Sequence, residues 1–526
     1  MTATETTGHK GKYLTLTAMI FAVSMTFIDM TIVSIAIPEI QKDLALSATG
    51  VQWVVNGYLL ALAALFAFGG RLADIQGHRR MVVLGILIFA GASAMNGLTP
   101  AGDIAEAWLI VFRVIQGAGA AIMYPAALAI VVDAFSLRER GRALAVFFAV
   151  AGGLTAVGPL AGGYLSEWTW RAIFFVNIPV AVIALVLTVR ARPSNDPVRA
   201  PMDYRGLALI VAGMGLSVLG LQQSSQWGWD SPATWVAIVG GLALLVLFVL
   251  FERRVASPLV RVRIFTNRAF FFENVVLFLS MIVFVPLFFF ASMYSQLSLG
   301  WSAANAGTYL LIFFAGFAPA AQIGGRMLDQ IGAKLPVVLG CAVSAVGLYL
   351  WAGRMTDLSV SAQWPYIVIA GAGIGLMLGP SNTDAINRAP RTSYGEATGI
   401  TQTVRNYGSS LGMAVLGTIL ITLNVSYVTG TLEGAGLPEE KADEIAHSLS
   451  QSGGDDSSNF DEQSPDAQHI FEEVQTDFAE ATSVVFYVMS GVMVAAAAVA
   501  VIGLQRGRQD LDSAADANTN AATGAT

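Results

Sequence analysis

One acid and two arginines of this chain lie inside long apolar runs, where a charge has few partners. Asp29 lies near the middle of an apolar run over residues 14–37, and it is the only acid that the sequence places deep in such a run. If this run crosses a bilayer, an ionised Asp at its centre costs about 2.5–3.5 kcal/mol. Removal from water favours the protonated carboxyl group, so Asp29 can exchange protons when water reaches it from alternating sides. The alternative is a structural hydrogen bond to a neighbouring helix.

Two arginines are also placed in apolar runs. Arg113 lies within residues 106–132, and Arg405 lies near the start of residues 398–427. A buried arginine stays protonated and needs an acceptor, so Arg113 is the natural counterpart of Asp29. Its alternative is a static contact with backbone carbonyls. Arg405 either takes part in function or extends its guanidinium to the membrane edge.

The composition indicates the kind of protein that positions these residues. Of 526 residues, 55% are hydrophobic and 12% charged, and the mean hydropathy is +0.63. Soluble domains carry about 25% charged residues, so an ordinary cytosolic enzyme, a disordered chain and a disulfide scaffold are excluded. A helix crosses the hydrocarbon core with about 20 apolar residues. Fourteen such spans are predicted, at 14–37, 51–72, 81–99, 106–132, 142–166, 172–190, 204–224, 233–252, 270–297, 303–325, 335–355, 365–386, 398–427 and 481–504.

The basic residues give the orientation of these spans. With the spans numbered from the N-terminus, 23 Lys and Arg residues fall on the side of the N-terminus and four on the other side. Basic residues concentrate in cytoplasmic loops, so both termini are predicted to be cytoplasmic. Residues 429–478 then form an external loop. The loop is acidic, because 14 Asp and Glu residues lie between residues 433 and 480, against one basic residue, Lys441. The tail over 505–526 is predicted to be disordered.

A nine-residue pattern occurs twice. Residues 69–77 and 324–332 both follow the pattern G-G-R-x-x-D-x-x-G, and each follows a span. In register with the spans, this repeat predicts two parallel six-helix halves, at 14–190 and 269–504, with an inserted helix pair at 191–268. Residues 1–13 are the cytoplasmic N-terminus. Parallel repeats are a transporter plan whose substrate site lies near the midplane between the halves.

Several ordered motifs resemble the major facilitator superfamily, and more closely its fourteen-span drug:proton antiporters of the EmrB/QacA type. The resemblance covers residues 13–505. The motifs that carry it are Asp29-Met30-Thr31-Ile32-Val33, Gly70 to Arg80, Arg113-Val114-Ile115-Gln116-Gly117, Gly158-Pro159-Leu160-Ala161-Gly162-Gly163 and Val404-Arg405-Asn406-Tyr407-Gly408. The resemblance implies an all-α polytopic membrane protein with the fourteen-helix major facilitator fold.

The resemblance also implies roles for these motifs. Asp29 and Arg113 correspond to proton-coupling residues, and Asp29 also to cation recognition. The inner-gate motif is formed by Gly70, Arg71, Asp74, Gly77, Arg79 and Arg80. A carboxylate can accept from the free N–H groups at a helix start, so Asp74 would latch the helix that begins near Thr398. Ile75 and His78 replace basic residues of the family's motif, which weakens this latch. The three arginines either brace it or only set the orientation.

The antiporter motif consists of Gly158, Pro159, Gly162 and Gly163. Proline removes a backbone donor and bends the helix, and glycines permit close helix contact. The resemblance favours a tight seam that limits leak, and packing alone is the alternative.

An apolar substrate cavity is expected between the halves. Aromatic faces attract lipophilic cations, and methionine adapts to varied shapes. The expected lining residues are Asp29, Trp53, Asn56, Tyr58, Gln116, Met123, Tyr124, Asn177, Phe288, Tyr294, Gln296 and Arg405. The alternative for the aromatic residues is that they face lipid. Glu273 lies at the inner end of its span, where a position at the membrane interface accounts for its charge.

The expected function is proton-coupled export of small hydrophobic, often cationic, compounds by alternating access in the inner (plasma) membrane. A dedicated exporter of one natural product and a non-transporting sensor of the same fold are the alternatives. No G-x-x-x-x-G-K-[ST] sequence occurs, which disfavours an ATP-driven pump. We expect no enzyme activity, no metal, no cofactor besides the coupling protons and no nucleic-acid partner. The expected partners are the lipid bilayer and the substrate, with the monomer as the working unit.

Overall fold

The computed structural model describes residues 3–135, 157–191, 201–255, 257–387, 394–435 and 465–507, with isolated residues and short pieces within 143–155 and 437–446. Within this part the chain forms fifteen α-helices and no strands. The first seven are α1 (Ala3–Leu44), α2 (Ala48–Gln76), α3 (His78–Gly97), α4 (Ala105–Ala134), α5 (Val157–Trp168), α6 (Ala172–Phe175) and α7 (Asn177–Ala191). The others are α8 (Tyr204–Trp227), α9 (Pro232–Glu252), α10 (Arg268–Leu297), α11 (Ala303–Ile331), α12 (Lys334–Ala352), α13 (Val360–Asn387), α14 (Tyr394–Gly434) and α15 (Pro465–Gly503).

Thirteen of these helical segments are long and apolar enough to cross a membrane, and each corresponds to a predicted span. The sixth span is α6 and α7 together. The remaining predicted span, 142–166, is described as a helix only over α5, because most of residues 142–156 lie outside the described part. With this fifth helix included, the structure is the fourteen-helix fold that the sequence predicts.

The packing divides the helices into two halves and an inserted pair. In the first half α2 and α3 pack on α4, and α1 packs on α7. The second half repeats this arrangement, with α11 and α12 packed on α13. Across the halves α1 meets α10, α2 meets α14 and α5 meets α11. The helices α8 and α9 pack on each other, and α8 lies against both α2 and α14.

The two copies of the nine-residue repeat have the same local structure. Helix α2 ends at Gly77 with φ +95°, and α11 ends at Gly332 with φ +87°. Each glycine N–H bonds the carbonyl four residues earlier, at 2.9 and 3.1 Å. A positive φ is available to glycine without a Cβ clash, which explains the last glycine of the pattern. The first glycine, Gly69 or Gly324, lies against the backbone of the helix two further along, at Ala121 or Leu376.

Several helices extend beyond the predicted spans. Helix α14 continues to Gly434 and α15 begins at Pro465, so helix occupies both ends of the predicted external loop. Hydropathy marks where the chain leaves the hydrocarbon, whereas a helix can continue into water. Between these helices, Val428, Leu432, Ala442 and Ala446 form a small buried cluster. The middle of the loop, 447–464, and the tail from 508, predicted to be disordered, lie outside the described residues.

Candidate functional site

The structure brings Asp29 and Arg113 into direct contact inside the first half. Arg113 Nη1 donates to Asp29 Oδ2 at 2.5 Å, and the side chains are 0% and 1% exposed. The guanidinium also donates from Nε to the Val54 carbonyl at 2.8 Å and lies over the Tyr58 ring, 4.5 Å from its centroid. A buried cation and anion at this distance compensate for each other's loss of water.

The second oxygen of Asp29 is also occupied. Gln116 donates from Nε2 to Oδ1 at 2.8 Å, and Asn177 Nδ2 lies 3.5 Å from the same atom. Gln116 Oε1 in turn accepts from Arg113 at 2.8 Å and from Asn96 at 2.9 Å. The R-x-x-Q-G motif therefore places Arg and Gln one turn apart on α4, so that both reach one carboxylate.

The Arg113 guanidinium has partners besides the carboxylate of Asp29. Arg113 has the Val54 carbonyl, Gln116 Oε1 and the Tyr58 ring as other partners. Protonation of Asp29 would therefore leave the guanidinium with acceptors in place, which lowers the cost of breaking the ion pair. All these groups come from α1, α2, α3, α4 and α7, within one half of the molecule.

Asp29 is not the only buried acid among the described residues. Glu273 is 0% exposed, and its Oε2 accepts from Ser381 Oγ at 2.6 Å. Asp384 is 3% exposed in the neighbouring helix α13. Both lie toward the ends of long helices, where the sequence suggests the interface. They are buried because α10 and α13 pack side by side within the second half.

The remaining predicted cavity residues fall into three groups. Tyr58, Gln116, Met123 and Asn177 lie inside the first half, and Met123 packs against Gly85 of α3. Phe288 and Tyr294 lie inside the second half; each side chain is at most 1% exposed. The ring of Phe288 stacks on Phe314 at 5.4 Å, and the Tyr294 hydroxyl donates to the Met355 carbonyl at 2.7 Å. Trp53 is partly exposed on α2.

Three predicted cavity residues make contacts where the halves meet. The amide of Asn56 is fully used, because Nδ2 donates to Gln222 of α8 at 2.7 Å and Oδ1 accepts from Ser410 of α14 at 2.5 Å. Gln296 donates from α10 to the Ile35 carbonyl of α1 at 2.9 Å. Tyr124 Oη accepts from Gln402 of α14 at 2.9 Å.

Arg405 lies next to this last contact. Its Nη1 donates to Gln402 Oε1 at 3.1 Å and to Asn382 Oδ1 at 3.3 Å. The side chain is partly exposed, unlike those of Asp29 and Arg113. Its acceptors are amide oxygens of α13 and α14.

The antiporter motif forms contacts on both sides of α5. A Cβ on Gly158 would collide with Thr31 Oγ1, and one on Gly162 would lie 2.9 Å from the Ile32 carbonyl oxygen, both in α1. A Cβ on Gly163 would lie 2.7 Å from the Ala303 carbonyl oxygen of α11. The Pro159 carbonyl faces Gly307 of the same helix. The motif thus fits α5 between one helix of each half.

The residues of the inner-gate motif contact α4, the start of α3 and the segment before α8. Asp74 is 47% exposed at its side chain, and its ion-pair contact is with His78 at 3.9 Å. Gly70 makes an ordinary contact with Pro125, and Arg71 donates to the Pro201 carbonyl at 3.5 Å. Arg79 is partly exposed and Arg80 is exposed.

Sequence reasoning missed the polar residues of α8 and α14 that join the seam. Gln222, Ser410 and Thr418 all bond across helices, with Thr418 Oγ1 donating to the Leu221 carbonyl at 2.8 Å. The available signal was their polarity in spans that are otherwise apolar, since a polar side chain in a membrane helix needs a partner.

Comparison with known proteins agrees with this architecture. The family model described as Major Facilitator Superfamily matches residues 19–413. The chain belongs to the major facilitator superfamily. It is therefore a multi-span membrane transporter by family. The solved structure of a bacterial homolog to the human lysosomal transporter Spinster, in an inward-facing and unoccupied conformation, aligns with TM-score 0.62 and 16% identity, covering 94% of this chain and 98% of that one. A D-xylose-proton symporter aligns with TM-score 0.57 and 11% identity, covering 83% and 96%.

Curated relatives are closer in sequence. The tetracenomycin C resistance and export protein of Streptomyces glaucescens is 32% identical, over 79% of this chain and 78% of that protein. The cephamycin export protein CmcT of Amycolatopsis lactamdurans is 35% identical, over 78% and 87%. The multidrug resistance protein Stp of Mycobacterium tuberculosis is 31% identical, over 81% and 78%. This major facilitator protein is therefore similar to antibiotic and multidrug exporters.

Proposed function

We propose that this protein exports small hydrophobic compounds across the inner (plasma) membrane in exchange for protons. The observation that carries the proposal is the sealed Asp29–Arg113 pair, which sits in a fold shared with exporters. Asp29 takes up a proton, the pair weakens, and the first half changes its contacts with the second. The positive-charge distribution of the loops supports an orientation with both termini in the cytoplasm.

The contacts at the seam support a state that is closed on the external side. In the proposed orientation the external ends of α5 and α11 meet at Gly163 and Ala303, and Ser302 donates to Glu167 at 2.9 Å. On the cytoplasmic side Asp74 is half exposed and bound to His78. Asp74 would reach the start of α14 only after the halves rock to the outward-open state.

The test is a resistance panel in an efflux-deficient host, with wild type compared with Asp29→Asn. Everted vesicles then report whether adding a compound that is exported releases protons from the lumen. Export with proton release supports the proposal. Binding of compounds without any proton movement would overturn it in favour of a sensor.

A dedicated exporter of one natural product is the second candidate. The relatives named for tetracenomycin C and cephamycin export favour it. The same panel separates the two, because a dedicated exporter protects against one compound class, whereas a multidrug exporter protects against several.

A further inference from the structure

The charge that is open to a substrate is that of Arg405. Asp29 already holds Arg113 and Gln116 and is 0% exposed, so its carboxylate is not free to bind a cationic compound. Arg405 is partly exposed at the seam between the halves. Two successive hydrogen bonds, through Gln402, join it to Tyr124 of the first half.

The guanidinium has donors to spare. Its Nη1 group is used by the amide oxygens of Gln402 and Asn382, whereas Nη2 contacts only the Met281 sulfur at 3.9 Å. Nε is buried without a hydrogen-bond partner. Nε and Nη2 form the edge of an arginine that binds carboxylate and phosphate groups with two parallel hydrogen bonds. In the described part of the chain no carboxylate is ion-paired with this edge.

Two buried acids are on α10 and α13, the helices that supply Met281 and Asn382 to Arg405. Glu273 accepts from Ser381, which is next to Asn382 in the chain, and Asp384 is two residues further along α13. Both are almost fully buried, whereas Arg405 is partly exposed. The Arg405 side chain is therefore more accessible than either carboxylate.

The surroundings of Arg405 are aromatic and apolar. The Tyr124 ring lies 5.9 Å from the ring of Phe27 and 5.4 Å from that of Phe66. Phe27 is partly exposed, and Met281 contacts the guanidinium. A cation beside such a surface suits a flat aromatic molecule that carries one acidic group. The aromatic side chains of the protein pack on the rings of the compound, while the Nε and Nη2 edge of Arg405 holds its anion.

We propose that Arg405 is the charged contact for the exported compound, and that the preferred substrates are aromatic molecules with an anionic group such as a carboxylate, sulfonate or acidic phenolate. This inference rests on the proposed function and changes the expected charge of the substrate from positive to negative. Gln402 and Asn382 hold the guanidinium in place, and Tyr124 fixes Gln402 from the opposite half.

The test uses two probes with the same ring system. Purified protein in phosphatidylcholine nanodiscs is titrated with 1-anilinonaphthalene-8-sulfonate and with neutral N-phenyl-1-naphthylamine, and empty nanodiscs give the background. We expect wild type to bind the sulfonate at least about tenfold more tightly than its neutral twin, the size of one charge-assisted hydrogen bond. Arg405→Gln is expected to remove this difference and leave binding of the neutral probe intact, whereas Arg405→Lys retains part of it.

A matched control and a second variant complete the design. Arg254→Gln removes an exposed arginine outside the seam and should bind like wild type. Gln402→Glu places a carboxylate beside the guanidinium, so it should also abolish the preference for the sulfonate, and it carries the test if Arg405→Gln does not fold. Equal binding of both probes by wild type, tighter binding of the neutral probe, or no saturable binding of either overturns the inference. So does a preference that survives in Gln402→Glu or in folded Arg405→Gln. No proton gradient is used, so these results are independent of whether the protein exports in vesicles.

Discussion

The carboxylate of Asp29 and the guanidinium of Arg113 face each other at 2.5 Å inside the first half of the molecule, and neither side chain is exposed by more than 1%. The pair is enclosed by groups of that half, including Gln116, Asn177 and Tyr58. The groups that compensate this buried ion pair thus belong to one bundle.

Asp29→Asn should abolish proton-coupled export while the protein still reaches the membrane. The amide keeps the shape of the side chain and a hydrogen-bonding group, but it cannot be ionised. The measurement is proton release from everted vesicles on addition of an exported compound. Glu39→Gln is the matched control, since Glu39 is an exposed acid in the same helix. Wild-type proton release by the Asn variant would remove Asp29 from the coupling role.

Arg113→Gln should destabilise the protein more than the double variant Asp29→Asn/Arg113→Gln. Removing one partner leaves the other charge buried alone, which costs about 3–5 kcal/mol, whereas two neutral amides can bond each other. The measurement is the midpoint temperature of thermal unfolding of detergent-solubilised protein, monitored by size-exclusion chromatography. A double variant as unstable as Arg113→Gln would show that charge compensation does not govern this site.

Gly163→Ala should lower export by separating α5 from α11. The added methyl group would lie 2.7 Å from the Ala303 carbonyl oxygen and 2.8 Å from Ala304 Cα, and backbone atoms cannot move aside as a side chain can. Gly91→Ala on α3 is the control, because a Cβ there meets nothing within 4 Å. Export rates and passive proton leak are measured in vesicles that contain equal amounts of protein. Equal rates for the two variants would contradict a role for this close contact.

Asn56 and Gln222 should be energetically coupled. Each single change to Ala leaves a buried polar group without its partner, which costs about 1–3 kcal/mol. A double-mutant cycle on thermal stability should give a coupling of about 0.6 kcal/mol or more, the average for hydrogen bonds between membrane helices. The adjacent Gln223 is the control partner for Asn56 and should show no coupling. Additive effects of Asn56 and Gln222 would mean that α8 packs on α2 without this bond.

The sequence predicts which polar residues of the spans are buried better than it predicts direction around a helix. Asp29, Arg113 and Gln116 could be placed deep in spans because polar residues stand out in apolar runs. Phe288 and Met123 could not be oriented, since lipid and protein interior are both apolar and select the same side chains. A soluble helix shows a polar face that reveals its orientation, and a membrane helix need not. The repeat of glycine and aspartate at 69–77 and 324–332 was informative because it depends on backbone conformation.

The length of a helix beyond its span was also hidden from the sequence. Hydropathy placed the end of the thirteenth span at 427, whereas α14 continues to Gly434. The Asn56–Ser410 and Gln402–Tyr124 contacts depend on how the halves are seated on each other, which no local pattern encodes.

The confinement of Asp29 and Arg113 to one half has a consequence for how such a protein diversifies. The residues proposed to couple protons to transport are on helices separate from α14, which carries Arg405. Mutations that reshape the surface around Arg405 can therefore alter the cargo while the energy-converting machinery stays intact. Selection can therefore vary one bundle while it conserves the other.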